Sequence, residues 1–251
     1  MLGTKPVDKI IFLDIETTSQ YEKYWDMPEV FQKLFAKRFA KEIDVQIADL
    51  SKDAYEEVYN QKAPLYAEWG KIICISMGVI NSSDEEYKLN VTSYSDVDEV
   101  KLLQAFLKKT QTITSELNSL WSFCAHNGKN FDFPFISKRL IINHLELPKM
   151  FDFSEMKPWE IKYFIDTKEV WKFGVYDHNV SLDILAAVFD VPSSKDDMDG
   201  SQVKNVFYQD KDLKKITGYC EKDVLALASV FLKMKNIKNK LVRSASAKLV
   251  K

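Results

Sequence analysis

The chain has 251 residues, of which 46% are hydrophobic, and it carries a formal net charge of −2. This length and composition predict one sizeable hydrophobic core, organised as a single domain with insertions rather than as two domains. The near-neutral charge selects no class of binding partner, because a local charged surface can exist on a globally balanced chain.

The first half of the chain predicts three strands, a crossover helix and a fourth strand. Residues 9–15 (KIIFLDI) form a nearly continuous apolar run that is typical of a central strand. Segments 71–80 and 87–94 are also strand-like, and the polar turn NSSDEE between them predicts an antiparallel hairpin. Apolar residues at helical spacing then predict a helix over 97–120, which leads into a strand over 120–125.

The second half predicts a helix over 133–144, a short strand over 163–166, a helix over 181–189 and a long helix over 212–234. Strands and helices alternate along the chain. The sequence therefore predicts an α/β fold in which a mixed central β-sheet is flanked by α-helices.

Nearly fifty residues, 21–69, separate the first two predicted strands. This length is too great for a simple connection, and the segment contains the helix-like stretch PEVFQKLFAKRFA. We expect a helical insertion that lies near the strand ends as a lid or clamp. Its cationic residues suit either a solvated helix face or a stripe that follows phosphates.

Residues 233–251 contain seven lysines and arginines and no acidic residue. We take residues 1–232 as the domain and 233–251 as a basic tail. Such a tail fits either a solvated, frayed end or an arm that contacts phosphates.

Three cysteines, Cys74, Cys124 and Cys220, are far apart and lie among apolar residues. Their number and spacing fit neither a zinc knuckle nor a disulfide framework, so we expect buried thiols in a reducing compartment. The sequence also lacks a signal-peptide core and any stretch of about 18 apolar residues. We therefore expect a soluble, cytoplasmic protein with no membrane partner.

Two carboxylates interrupt the first strand. In IIFLDIETT, Asp14 and Glu16 alternate with Ile15, so both point to the same face of the sheet. Burying unpaired anions is costly, and no cation follows Lys9 within the strand, so a bound cation would account for both. Taken alone, the pattern is also consistent with an exposed sheet face or a distant arginine.

A third carboxylate follows a later strand. In AHNGKNFDFPF, a glycine-containing turn places Asp132 near the first turn of a helix, where it could also serve as a helix cap. Asn127 and Asn130 are typical turn residues. We expect His126 to lie at the strand end with its ring satisfied by hydrogen bonds.

A fourth carboxylate lies in the last predicted helix. In YCEKD, Tyr219 and Asp223 are four residues apart and share one helix face. Such a pair is also common as a simple contact on a helix surface. The three segments together offer four carboxylates from apolar surroundings, in the order strand, turn and helix, late helix.

FLDIETT, HNGKNFD and YCEKD together resemble the three exonuclease motifs of the DEDD (DnaQ-like) superfamily of 3′-5′ exonucleases, in the tyrosine subgroup known as DEDDy. WKFG, SLDILAA and KDDMDGSQV extend the resemblance to a stand-alone exonuclease domain that is similar to that of family-B polymerases. The resemblance covers most of residues 8–232 and implies a ribonuclease H-like fold.

The resemblance also implies a site. Two divalent metal ions, Mg²⁺ or Mn²⁺, would be bound by four carboxylates, with a tyrosine beside the attacked phosphate. We assign the tyrosine to orienting the attacking water, because a phenol has an unperturbed pKa near 10 and is neutral at working pH. The implied metal ligands are Asp14, Glu16, Asp132 and Asp223, and the catalytic set adds Tyr219.

Substrate contacts are expected beside these motifs. Thr17 and Thr18 follow Glu16, where backbone and hydroxyl groups could hold the terminal nucleotide, and Asn127 is a further candidate. Phe131 or Phe133 could stack on the terminal base, although packing in the core is an equally good interpretation of both rings.

The leading hypothesis is a metal-dependent exonuclease that acts on single-stranded nucleic acid with a free 3′ end, DNA favoured, and releases nucleoside 5′-monophosphates. Two alternatives stay open: an endonuclease of the same fold, and a non-catalytic nucleic-acid-binding module. We expect no polymerase domain in the chain, so a proofreading role would require a separate replication or repair protein.

Overall fold

The structure is a computed structural model that describes residues 5–42, 52–82, 86–115, 121–157, 160–176, 179–192, 198–238 and 241–243. In this part of the chain, six strands form one mixed sheet in the order β5-β4-β1-β2-β3-β6. The strands are β1 (Ile10–Ser19), β2 (Gly70–Ser82), β3 (Tyr87–Ser95), β4 (Ser122–Ala125), β5 (Phe164–Asp166) and β6 (Leu241–Arg243).

The strand directions match the predicted fold class. β1, β2 and β3 form an antiparallel meander, which confirms the predicted hairpin between the second and third strands. β4 runs parallel to β1, and β5 runs parallel to β4. The molecule thus has an α/β, ribonuclease H-like fold with β1 near the centre of its mixed sheet.

Helices flank the sheet. They are α1 (Glu29–Arg38), α2 (Lys52–Lys62), α3 (Glu99–Ser115), α4 (Asp132–Ile142), α5 (Thr167–Lys172), α6 (Leu182–Val188) and α7 (Leu213–Met234). The predicted elements are present with shifted ends, and residues 116–120 of the helix predicted over 97–120 lie outside the described part. α5 was not predicted, because six residues are too few to show a helical period.

The alternation of side chains along β1 determines what each face of the sheet packs against. Ile11, Leu13 and Ile15 belong to the core beneath α3 and α4. Ile10 and Phe12 point to the opposite face, where the Phe12 ring packs edge-on against Phe231 of α7 at a centroid distance of 5.6 Å. Residues 14 and 16 share the parity of residues 10 and 12, so they face α7.

A change in register follows the second carboxylate of β1. Glu16 lies opposite Cys74 on β2, whereas the next residue, Thr17, lies opposite Ile72. One extra residue, Ile73, is therefore accommodated on β2, as in a β-bulge. β1 continues to Ser19, four residues beyond its predicted end.

The insertion at residues 21–69 contains α1 and α2 and has its own small aromatic core. Tyr24, Phe35, Phe39 and Tyr59 are buried together in it. The backbone N–H of Gln20 donates to the Trp69 carbonyl at 2.7 Å, which ties the two ends of the insertion at the end of β1. Residues 43–51 lie outside the described part, and the lid or clamp role stays a prediction.

Three residues of the carboxyl-terminal segment pair with the sheet. β6 pairs in parallel with β3, and Arg243 forms an ion pair with Glu221 of α7. A frayed end therefore does not describe residues 241–243, and the alternative of an arm that contacts phosphates stays a prediction. Residues 244–251 lie outside the described part.

The three cysteines are buried free thiols. None of the described helices combines the length and the apolar composition needed to cross a membrane.

A buried ion pair joins the base of the insertion to the helices. Arg139 of α4 is 3% exposed and donates from Nε to the Glu99 carboxylate at 2.9 Å, while Nη1 donates to the Ala67 carbonyl at 2.8 Å. Glu99 also accepts the backbone N–H of Ile72 at 2.7 Å. This network connects α3, α4, the start of β2 and the end of the insertion.

We predict that Arg139→Met lowers the free energy of unfolding by ~3–5 kcal/mol, because it leaves the Glu99 charge buried without its partner. Lys138→Met is the matched control, since Lys138 forms an exposed pair with Glu68 and should cost less than ~1 kcal/mol. Urea denaturation measures both. Equal losses in the two variants would contradict the role given to the buried pair.

Candidate active site

The site lies at the carboxyl end of β1, on the face covered by α7. Glu16 is 8% exposed and Asp14 is partly buried. Both side chains point toward α7, as their alternation with Ile15 predicts. The second half of β1 therefore carries two carboxylates on the face toward α7, of which Glu16 is buried and Asp14 is partly buried.

A cysteine of α7 lies directly against this pair. The Cys220 thiol donates to Asp14 Oδ2 at 3.3 Å and approaches the Asp14 carbonyl oxygen at 3.5 Å. The ligand atoms of Asp14, Glu16 and Cys220 all lie within 4.8 Å of one another. Burial raises the pKa of the Cys220 thiol, so it keeps the proton with which it donates.

Asp132 reaches the same strand from a different element. It is the first residue of α4, is 4% exposed, and its carboxylate accepts the backbone N–H of Ile15. Pairing of β1 with β4 ends at Phe12, so β1 extends past its neighbour before it meets Asp132. The structure thus brings Asp132 beside both carboxylates of β1.

Tyr219 and Asp223 complete the group from α7. They are one helical turn apart, and the Tyr219 hydroxyl forms a hydrogen bond with the Asp223 carboxylate. Both residues line an open groove of about 590 Å³, together with Asp14. The structure therefore brings all five predicted catalytic residues to one end of β1.

The carboxylates raise one another's pKa values. The pKa of Asp14 lies well above its usual range because of burial and then the charges of Asp223, Glu16 and Asp132. The pKa of Glu16 is raised mainly by burial and by Asp223. Burial raises the pKa of Asp132 to about 7, although its backbone hydrogen bonds oppose this effect. A cation would relieve this repulsion, so the donor set is electrostatically suited to one.

Tyr219 responds to the same field. Burial, followed by the charges of Asp223, Glu16 and Asp14, raises the pKa of its phenol far above the usual range. The phenol therefore keeps its proton at neutral pH, and it acts as a hydrogen-bond donor rather than as a base.

Sequence analysis missed Asp166, which holds the turn that precedes Asp132. This buried residue ends β5, and its carboxylate accepts the backbone N–H groups of Asn127 at 2.9 Å and Lys129 at 3.1 Å. It also accepts the N–H of Lys168 at 3.0 Å and caps α5. The available signal was an aspartate that ends an apolar strand and is followed by Thr-Lys-Glu, which is typical of a helix start.

His126 is satisfied by hydrogen bonds, as predicted. Its Nδ1 lies 3.0 Å from the Thr167 hydroxyl and its Nε2 lies 2.9 Å from the Val180 carbonyl oxygen. Burial lowers the pKa of the ring, which favours the neutral form. In that form Nε2–H donates to Val180 and joins the end of β4 to the segment before α6.

The predicted substrate-binding residues have different environments. Asn127 lines the groove in a left-handed conformation (φ 63°), and its Oδ1 accepts from Lys168 Nζ at 3.3 Å. The Thr17 hydroxyl instead donates to the Pro64 carbonyl at 2.7 Å, and the Thr18 side chain is fully buried. The structure does not bring either hydroxyl to the groove, so contacts from these two residues reduce to their backbone groups.

The two candidate stacking rings pack within the protein. Phe131 is partly buried and contacts Phe135 at a centroid distance of 5.4 Å. Phe133 is fully buried and stacks on Phe164 at 3.9 Å. The core-packing interpretation holds for Phe133, and Phe131 is not among the described residues that line the groove.

Comparison with known families agrees with this arrangement. No curated protein matches the chain at a significant level. Residues 65–251 match the family described as a predicted 3′-5′ exonuclease related to the exonuclease domain of PolB. The match covers most of the chain, including α4, α7 and three of the five catalytic candidates, while Asp14 and Glu16 precede it. The chain therefore belongs to this family of predicted exonucleases.

Proposed function

We propose that this protein is a metal-dependent 3′-5′ exonuclease that hydrolyses single-stranded nucleic acid, DNA favoured, and releases nucleoside 5′-monophosphates. One observation carries the proposal: carboxylates from β1, α4 and α7 meet beside an open groove and raise one another's pKa values. A group of buried acids that repel one another is unfavourable for folding alone, and it is the arrangement expected of a cation site.

The donor set fits two hard divalent cations such as Mg²⁺ or Mn²⁺, which prefer carboxylate oxygens and share them with substrate phosphates. Asp14, Glu16, Asp132 and Asp223 would hold them. When bound, the ions supply an activated water and offset the charge that develops on the phosphate and on the leaving oxygen. Cys220 is assigned as a hydrogen-bond donor to Asp14 and not as a ligand, because a thiol is a poor partner for hard cations.

The residues of the chain orient this chemistry. Asp223 accepts the Tyr219 hydrogen bond, which fixes the phenol at the groove. Because the phenol keeps its one proton and donates it to Asp223, its oxygen is left to accept a hydrogen bond from the attacking water and so to orient that water. The hydrogen bonds from Cys220 and from the Ile15 N–H hold Asp14 and Asp132 in position.

We also propose a cytoplasmic location, which the three buried free thiols support. A free 3′ end, and a separate replication or repair protein for any proofreading role, belong to the same proposal.

The first prediction concerns class and polarity. With Mg²⁺ or Mn²⁺, a 5′-labelled linear oligonucleotide should give a ladder that shortens from its 3′ end, and a circular strand of the same sequence should stay intact. EDTA should stop the reaction. The isosteric pair Asp14→Asn with Glu16→Gln should lower the rate at least ~10³-fold, whereas the exposed control Asp8→Asn should leave it unchanged.

Cutting of the circle would identify an endonuclease. Binding without any metal-supported cleavage would identify a non-catalytic module. Gel analysis of the same samples distinguishes these outcomes.

The second prediction concerns Tyr219. Tyr219→Phe should lower kcat by ~10–100-fold with a small change in KM, because the lost hydrogen bond acts on the reacting groups. Tyr163→Phe is the matched control, since the Tyr163 hydroxyl contacts Met156 at the opposite end of the sheet. A kcat for Tyr219→Phe equal to that of the control would remove the phenol from the mechanism.

The third prediction concerns stability and pH. The folded state raises the pKa of Asp132 from 3.8 to about 7, so the unfolded state releases this proton at lower pH. The stability that this group contributes is therefore complete below about pH 4 and is lost as the pH rises to about 7. In EDTA, the melting temperature should fall between about pH 5.5 and 8.

Saturating Mn²⁺ should raise the melting temperature more at about pH 8 than at about pH 5.5, because the ions bind ionised carboxylates. Asp132→Asn should reduce both the fall in EDTA and the rise with Mn²⁺, and the distant Asp98→Asn should reduce neither. A melting temperature that is insensitive to Mn²⁺ at every pH would argue against a cation site.

A further inference from the structure

One wall of the groove is formed by the segment that runs from α5 to α6. Lys168 of α5 lines the groove, and Asn179, Ser181 and Ile184 line it after the chain returns. Among the described residues of the lining, Lys168 is the one lysine or arginine. The lining also contains His126, but burial lowers the pKa of its ring and favours the neutral form. This wall therefore brings a positive charge toward an otherwise acidic groove.

Two aromatic residues in this segment are exposed. Phe173 is 80% exposed and Tyr176 is 93% exposed, whereas the nearby Trp171 packs edge-on against Phe189 at 5.6 Å. Trp171 thus anchors the segment to the protein while the next two rings remain in solvent. Large exposed aromatic side chains grouped in this way are typical of binding surfaces.

The backbone at Phe173 supports a functional interpretation. Phe173 ends α5 in a left-handed conformation with φ of 45°, which is unfavourable for a bulky residue. Gly174 follows with φ of 84°. Glycine would adopt the conformation of residue 173 without strain, whereas phenylalanine adopts it at a conformational cost.

Chain geometry keeps both rings near the groove. Phe173 directly follows α5 and is five residues after Lys168, which corresponds to a rise of about 7.5 Å along the helix axis. Tyr176 is three residues before Asn179, so their alpha carbons are at most about 11 Å apart. Phe173 and Tyr176 therefore belong to a connection whose two ends both line the groove.

We propose that Lys168, Phe173 and Tyr176 form a strand-binding rim that holds the unpaired nucleotides preceding the 3′ end. Lys168 contacts a backbone phosphate, and the two rings stack on bases. Stacking of this kind accepts any base but requires bases that are not paired, so the rim selects single strands over duplexes. This inference rests on the proposed function, because binding of the 3′ end at the carboxylates determines where the preceding nucleotides lie.

Binding tests the rim without hydrolysis. The full chain in EDTA is titrated into 5′-fluorescein oligothymidylates of 12 and 3 nucleotides, and fluorescence anisotropy gives the Kd values. Phe173→Asn with Tyr176→Ser should weaken binding of the 12-mer about tenfold or more, and binding of the 3-mer less than twofold. Asparagine tolerates the left-handed conformation, and an unchanged melting temperature verifies folding.

Two matched controls accompany this variant. Phe173→Tyr with Tyr176→Phe keeps both rings and should bind the 12-mer within twofold of the unmodified chain. Val30→Ser with Leu34→Ser removes exposed apolar side chains of α1, 65% and 53% exposed, and should also bind within twofold.

Salt dependence tests Lys168. Lys168→Gln should reduce the slope of log Kd against log salt concentration by about one, which corresponds to one lost phosphate contact. Lys108→Gln, on the exposed side of α3, should leave the slope unchanged. With Mg²⁺, the aromatic variant should raise KM for the 12-mer about tenfold and leave kcat within twofold.

The outcomes separate this inference from the exonuclease proposal. If the aromatic variant binds the 12-mer as tightly as the unmodified chain, the rim is wrong even when hydrolysis proceeds, and the exposed rings then serve another partner such as a protein. If no condition supports hydrolysis but binding still depends on the rings and on Lys168, the rim stands and the exonuclease proposal fails. Absence of any binding to the 12-mer would overturn the rim directly.

Discussion

Electrostatic repulsion among four acidic side chains at the end of β1 is the constraint on which the rest of this structure depends. Burial and neighbouring charges both oppose ionisation of Asp14 and Glu16. The hydrogen bonds that the Cys220 thiol, the Ile15 N–H and the Tyr219 hydroxyl donate to these carboxylates all come from neutral groups. Neutral donors orient carboxylates but do not cancel their charge, so the fold has to supply the remaining stability elsewhere.

The apolar layers on the two sides of the sheet supply the stability that offsets this repulsion. On one face, Phe12 and Phe231 hold α7 against β1. This contact fixes the position of α7 along β1 and so brings Tyr219 and Asp223 beside Asp14 and Glu16. On the other face, Phe133 stacks on Phe164 and fixes the start of α4 beside β5. The carboxylates of the site are next to core residues in the chain, as Asp14 and Glu16 are to Ile15 and Asp132 is to Phe133. Packing of these core residues therefore holds the geometry of the site.

Sequence patterns predicted the parts of this arrangement that depend on local periodicity. Alternation in IIFLDIETT placed Asp14 and Glu16 on one face, and the four-residue spacing in YCEKD placed Tyr219 beside Asp223. The same reasoning failed where a contact joins distant segments. The Thr17 hydroxyl binds Pro64 of the insertion, and Asp166 holds a turn almost forty residues earlier. Local periodicity in the sequence does not predict contacts between distant segments. It also does not predict the extra residue on β2 opposite the step from Glu16 to Thr17.

The three residues of β6 have a consequence for the outer border of the sheet. β3 is bounded by β2 on one side and by β6 on the other, so its outward N–H and C=O groups are occupied along residues 87–89. A chain shortened to the end of α7 would expose that border as a template for another copy's strand. The late basic segment therefore covers the edge of β3 along these three residues.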